Sequence, residues 1–324
     1  MTVKLDLAGS RANVILNRPD VLNAMDWDTF AALGGVFDEL VARSDVRVVV
    51  VSGEGRSLSS GIDTTSLLSP RGSVEDMIAH AQSGFRKLAV LPMPTIAAIK
   101  GHALGAGLQL ALACDIRVAT TDASLGLLEH RFGILPDLGG TQQLGRLIGP
   151  GMAKKMIWTQ ERIDGSEGHR RGLVEVVVEP DELESSVDEL AVAIAAAPPT
   201  AARQVKRLVD LSGRVPIDEG MDEEAQGQLE CFGSPDFAEA IPPSSRSGPR
   251  TTGESAERSV PSPRERCPTA TSIAPTLRIR SHKIEPGGNH DDRDVRDLRR
   301  HIQGQVAGRE RSDNRCKLRR SREW

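Results

Sequence analysis

Thr95-Ile96-Ala97-Ala98-Ile99-Lys100-Gly101-His102-Ala103-Leu104-Gly105-Ala106-Gly107, followed by Leu108-Gln109-Leu110-Ala111-Leu112-Ala113-Cys114-Asp115-Ile116-Arg117-Val118-Ala119, is the stretch on which the fold turns. Thr95–Ile99 reads as a strand, ended by Lys100-Gly101. Gly105–Cys114 reads as a helix, apolar nearly all round, which has to be buried. Asp115–Ala119 reads as a second strand. Strand, glycine turn, buried helix and strand in succession point to an α/β protein.

The same alternation continues on both sides. Val3–Leu7 and Asn13–Leu16 read as strands. Asp26 is placed to cap a helix over Trp27–Val41, with Phe30, Leu33, Phe37, Leu40 and Val41 on its apolar face. The β-branched run Arg47–Val51 is a buried strand. Gly61–Leu68 starts a short helix, and Val74–Leu91 is a longer one stopped by Pro92 and Pro94. Beyond the central stretch come helices at Gly139–Ile148, Gly151–Thr159 and Ser166–Gly172, then a strand at Leu173–Val177. Three closing helices follow within about 181–241.

Composition divides the chain after Ile241. Residues 242–324 hold 19 of the 41 Lys+Arg and 11 of the 45 Asp+Glu, a net charge of +8 against −12 for residues 1–241. They hold 11 Val, Ile, Leu, Met, Phe or Trp in 83 positions, too few to offset the entropy of ordering the segment. The body is therefore 1–241, and 242–324 is expected to be a disordered basic tail. Its 17 Arg come with a single aromatic, Trp324, and with interspersed acids, so no nucleic-acid binding is expected. No apolar run of membrane-spanning length occurs, and the N-terminus reads as a strand; no membrane association and a cytoplasmic location are expected. Cys114, Cys231, Cys267 and Cys316 have no metal-ligand spacing, so no metal site is expected.

Two glycine turns and two carboxylates are the candidates for chemistry. Ser59-Ser60-Gly61-Ile62-Asp63 and Gly105-Ala106-Gly107 either present backbone N–H groups at a helix start, as an oxyanion site requires, or are plain tight turns. Glu129 follows Leu125-Gly126-Leu127-Leu128, and Asp137 follows Ile134-Leu135-Pro136. Each is either a partly buried acid/base group or a structural one. In the structural readings Glu129 pairs with Arg131 or Arg146, and Asp137 caps the helix near Gly139. His102 and His130 read as structural or peripheral, and Phe132 and Trp158 as core or pocket lining.

The order of these segments resembles the enoyl-CoA hydratase/isomerase (crotonase) superfamily. Asn17-Arg18-Pro19 with Leu22-Asn23-Ala24, Ser60-Gly61-Ile62-Asp63, the central stretch, and Gly133-Ile134-Leu135-Pro136 with Gly139-Gly140-Thr141-Gln142 carry the resemblance over residues 1–241. It implies a stacked ββα spiral, a C-terminal helical trimerisation region, a homotrimer or hexamer, and an acyl-CoA substrate. No separate cofactor is implied, because coenzyme A is part of the substrate. By position, the oxyanion donors are the N–H groups of Ile62 and Ala106. Ser60, Gly61, Asp63 and Gly105 are the substrate-binding positions. Hydratases of the family hold a water between two glutamates twenty residues apart. Here the positions are Gln109 and Glu129, and Gln109 can orient a water but not exchange a proton. Asp137, eight residues beyond Glu129, matches the second acid of dienoyl-CoA isomerases. The resemblance thus slightly favours a double-bond isomerase with Glu129 and Asp137 as base and acid. The alternatives are an enoyl-CoA hydratase and a catalytically weak acyl-CoA-binding homologue.

The family usually continues past a segment like Phe237–Ile241 into Ala-Ala-hydrophobic-Leu-Glu-Lys-Arg-Pro. Pro242-Pro243-Ser244-Ser245-Arg246-Ser247-Gly248-Pro249, written in GC-rich codons and shifted by one added G, regroups to Ala-Ala-Val-Leu-Glu-Lys-Arg-Pro. The tail is accordingly expected to be a frameshift product.

Overall fold

The computed structural model describes residues 1–68 and 72–240. The expected tail and its frameshift lie outside the described residues. In chain order the elements begin with β1 (Val3–Ala8), β2 (Arg11–Leu16), α1 (Trp27–Val41), β3 (Val48–Gly53), α2 (Thr64–Leu68) and α3 (Val74–Ala89). The central stretch supplies β4 (Thr95–Ile99), β5 (His102–Leu104), α4 (Ala106–Leu112), β6 (Ile116–Thr120) and β7 (Ser124–Gly126). Then come α5 (Gly140–Ile148), α6 (Pro150–Thr159), α7 (Gly165–Arg170), β8 (Val176–Val178), α8 (Leu183–Ala195), α9 (Pro199–Leu211), α10 (Ile217–Gly233) and α11 (Pro235–Ala240).

The main sheet runs β1-β2-β3-β4-β6-β8, antiparallel in its first pair and parallel thereafter. Both its faces are covered, which is why four consecutive valines of β3 are buried. Val48 and Val50 pack with Leu183, Val187 and Ala191 of α8. Val49 and Val51 join the main core with Phe30, Leu33 and Phe37 of α1. Asp26 caps α1 by accepting from the Thr29 N–H at 2.8 Å. The core face of α1 ends at Leu40; Val41, expected on it, is the last residue of the helix and is 53% exposed.

A second, smaller layer positions the site. β5 pairs with β7 in parallel. Isolated bridges Ser59–Ala103, Met25–Ile62 and Leu125–Ile163 extend the pairing on both sides. Both glycine turns therefore lie in this layer. Two expectations change nearby. Phe132 and Trp158 are 58% and 64% exposed, so the core half of their reading fails. The strand expected at Leu173–Val177 begins at Val176, because the Leu173 N–H is taken by Gly168 O in the turn after α7. Among the described residues, no helix is long and apolar enough to cross a membrane.

Candidate active site

The first glycine turn is held from below by Asn23. This buried residue adopts the left-handed conformation, and its Nδ2 donates to Glu54 O and Ser57 O at 2.9 and 2.8 Å. Its carbonyl accepts from Ser59 Oγ, and that hydroxyl in turn accepts from the Gly61 N–H at 3.1 Å. Met25 N donates to Gly61 O and Asp63 N to Met25 O, each at 2.8 Å. In such a parallel bridge the intervening Ile62 N–H points away from Met25.

The second turn lies against the first. A Cβ on Gly61 would sit 2.7 Å from Leu104 O and 3.6 Å from Ala106 N; one on Gly107 would sit 2.5 Å from Ser59 O. Only glycine permits this approach. The Gly105 N–H is used by Gly126 O. Ala106 is the first residue of α4, so its N–H has no acceptor one turn back. The two sequence-assigned donors, Ile62 and Ala106, thus belong to backbone segments in direct contact.

The carboxylates meet at the same place. Glu129 opens the 3₁₀ turn Glu129–Phe132 after β7, is buried, and has Oε1 3.4 Å from where a Gly105 Cβ would stand. Gln109 Nε2 donates to that Oε1 at 2.7 Å. Neither Arg131 nor Arg146 pairs with Glu129: Arg131 donates to Gln160 instead. Asp137 is half-buried beside them, its carbonyl held by Gln82 Nε2 of α3 at 2.7 Å, and α5 is capped by Gly139 rather than by Asp137. Burial pushes the Glu129 carboxyl above its ordinary value, and the neighbouring Asp137 adds to this, while hydrogen bonds from its own backbone N–H, from Gln109 and from the Leu128 backbone oppose it. Burial raises Asp137 as well.

The substrate-binding positions differ in what their side chains can offer. The Asp63 carboxylate is committed to Arg18 at 3.1 Å and to the Thr65 hydroxyl at 2.7 Å, and these bonds hold it below the usual range, Thr65 foremost. Ser60 donates its hydroxyl to Val21 O at 3.3 Å. Asn23 lies in a segment that carries the resemblance and Ser59 in the candidate turn, but the sequence gives neither of them the part of shaping that turn. The left-handed Leu22-Asn23 pair leaves only a weak trace in sequence.

Two glycine turns in contact, with a buried acid beside them, make a site in which backbone N–H groups and a carboxyl can act on one bound group. The chain matches the family model described as Enoyl-CoA hydratase/isomerase over residues 8–241, and it belongs to that family, with the crotonase-like fold. It is 37% identical over 242 residues to the short-chain-enoyl-CoA hydratase of Clostridium acetobutylicum, covering 74% of this chain and 92% of that one. It is 34% identical over 232 residues to the crotonyl-CoA hydratase of Syntrophomonas wolfei, covering 71% and 89%. The crystal structure of an enoyl-CoA hydratase from Bacillus anthracis superposes with a TM-score of 0.71 at 33% identity, over 74% of this chain and 94% of that one. A putative enoyl-CoA hydratase from Thermobifida fusca in complex with CoA does so at 0.68 and 35%, over 74% and 95%. These names favour hydration and give no support to the preference for isomerisation.

Proposed function

We propose that the chain hydrates 2-enoyl-CoA thioesters with Glu129 as the one proton-exchanging group. The observation that carries this reading is the buried Glu129 carboxyl, bound by the Gln109 amide and seated against the second glycine turn. The thioester oxygen accepts from the Ile62 and Ala106 N–H groups, which stabilise the enolate as charge reaches that oxygen. Neutral Glu129 gives its proton to Cα while water adds to Cβ, and the water's proton returns to Glu129. The added atoms are one H and one OH, and the enzyme ends as it began. Burial keeps the carboxyl protonated to higher pH, as this role requires. Gln109 orients the water through its second amide hydrogen.

The CoA arm is assigned to the first turn at Ser60, Gly61 and Asp63, with Gly105 on the facing turn. The acyl arm is assigned to a cavity of about 280 Å³ beside Asp137, between α3 and α5, whose lining includes Phe85 and Leu138. A trimer is proposed as well, supported by exposed Val205 and Val209 on α9 and by Met221 and Leu229 on α10.

A second reading, double-bond isomerisation, is favoured by one observation, the half-buried Asp137 next to Glu129. Product analysis with 2-enoyl-, 3-enoyl- and 3,5-dienoyl-CoA separates the two. Hydration yields a 3-hydroxyacyl thioester from the first; isomerisation yields a product of unchanged mass from the others. Binding without turnover of any of them contradicts both.

A further inference from the structure

Gln109 lies on the buried helix α4 and is 2% exposed. Its Oε1 accepts two backbone hydrogen bonds, from Leu138 N at 2.8 Å and from Gly140 N at 3.0 Å. An amide nitrogen accepts neither, so the two donors determine which end of the amide faces which way. Nε2 is left facing Glu129, where it donates to Oε1 at 2.7 Å. A donor aimed at Oε1 fills one of its two lone-pair sites and bonds a carbonyl-type oxygen more strongly than a hydroxyl, so it disfavours a proton on that oxygen. The other oxygen, Oε2, is buried without a hydrogen-bond partner among the described residues.

We infer that Gln109 is a positioning residue that reserves Oε1 of Glu129 as an acceptor, so that the proton of this carboxyl resides on Oε2. The inference rests on the proposed proton-exchange role of Glu129 and deepens it by assigning the atom. It also places the water. A separation of 2.7 Å leaves no room for a water between Nε2 and Oε1, so the adding water is met by Oε2 and the second Nε2 hydrogen. The chain thereby differs from a site in which two carboxylates share a water between them. Two backbone N–H groups on the 138–140 turn do the orienting, and the turn that carries Asp137 is tied to the same amide. The groups that act on the Glu129 carboxyl are Gln109 from α4, the Gly105 backbone, the backbone N–H groups of Leu128 and Glu129 itself, and Asp137; of these, Asp137 is the titratable one.

The test is a titration of Glu129 in the full chain, labelled with carbon-13 at glutamate carboxyls, with the Glu129 signal assigned by its loss in Glu129→Gln. Gln109→Met removes the donor to Oε1 and should raise the Glu129 midpoint by about one pH unit or more, since a hydrogen bond to the charged form is lost. Gln109→Glu keeps an acceptor for Leu138 and Gly140, so it preserves the turn if the Met variant fails to fold. Its carboxyl pair should titrate in two steps, the upper one above the wild-type midpoint. A midpoint unmoved in the folded variants overturns the inference even if the enzyme hydrates enoyl-CoA. Absence of turnover in wild type sinks the proposed function instead, and the titration still decides the role of Gln109.

Discussion

Gln109 and Glu129, twenty residues apart, meet through Nε2 and Oε1 at 2.7 Å. Substituting Gln for Glu129 leaves the carbonyl oxygen to accept that bond and puts an amide where the proton-bearing oxygen stood. Glu129→Gln should therefore lower hydration by about a hundred- to ten-thousand-fold, the usual worth of general acid–base catalysis. Affinity for a CoA ester, measured by calorimetry, should stay at the wild-type level. Wild-type turnover by this variant contradicts the assignment.

The same substitution bears on stability. Burial raises the folded pKa of Glu129 above its ordinary value of 4.5, so the folded chain binds this proton to higher pH than the unfolded chain does. Stability then falls as pH rises from the unfolded pKa to the folded one, and stays lowered above it. Glu129→Gln abolishes this titration. Its thermal midpoint should exceed that of wild type at mildly alkaline pH, and the advantage should shrink below pH 4.5. An advantage independent of pH would show that packing, not the proton, is responsible.

Asp137 separates the two chemistries. In a hydratase, Asp137→Asn changes hydration little, because Glu129 exchanges both protons. In an isomerase, it abolishes double-bond migration while CoA-ester binding persists. Rates with 2-enoyl- and 3-enoyl-CoA, each compared with wild type, decide between them.

Much of this arrangement was legible in the sequence, for identifiable reasons. Asp26 and the Phe30, Leu33, Phe37 spacing marked α1, because cap and core face are both local signals. Thr95–Ile99 was bounded by Pro94 and by Lys100-Gly101, and β4 has those limits. β5 and β7 escaped notice because each has three residues and exists only by pairing with the other. Hydrophobicity alone marks Phe132 and Trp158 as core or pocket lining, but the first is on a surface 3₁₀ turn and the second on the outer side of α6, so neither is core. The spacing of Gln109 and Glu129 was visible; the two N–H groups of the 138–140 turn that orient Gln109 were not. Backbone donors have no residue type to betray them.

The second oxyanion donor is open to a clean test, because Ala106 is the first residue of its helix. Proline at the first helical position breaks no helical bond, although its ring would press on the Gly61 turn. Ala106→Pro should keep the fold, as judged by circular dichroism, and lose turnover by more than it loses CoA-ester affinity. One oxyanion donor is typically worth about a hundred- to a thousand-fold in rate. An active, folded Ala106→Pro enzyme would show that the donor lies elsewhere.

The proposed reaction is tested most directly by incubating the full chain with a 2-enoyl-CoA in water labelled with heavy oxygen, followed by mass spectrometry of the thioester. Hydration predicts a 3-hydroxyacyl-CoA that carries the label on the carbon β to the thioester, formed by wild type and strongly diminished in Glu129→Gln. An unlabelled product of unchanged mass, or label uptake unaffected by Glu129→Gln, would contradict it.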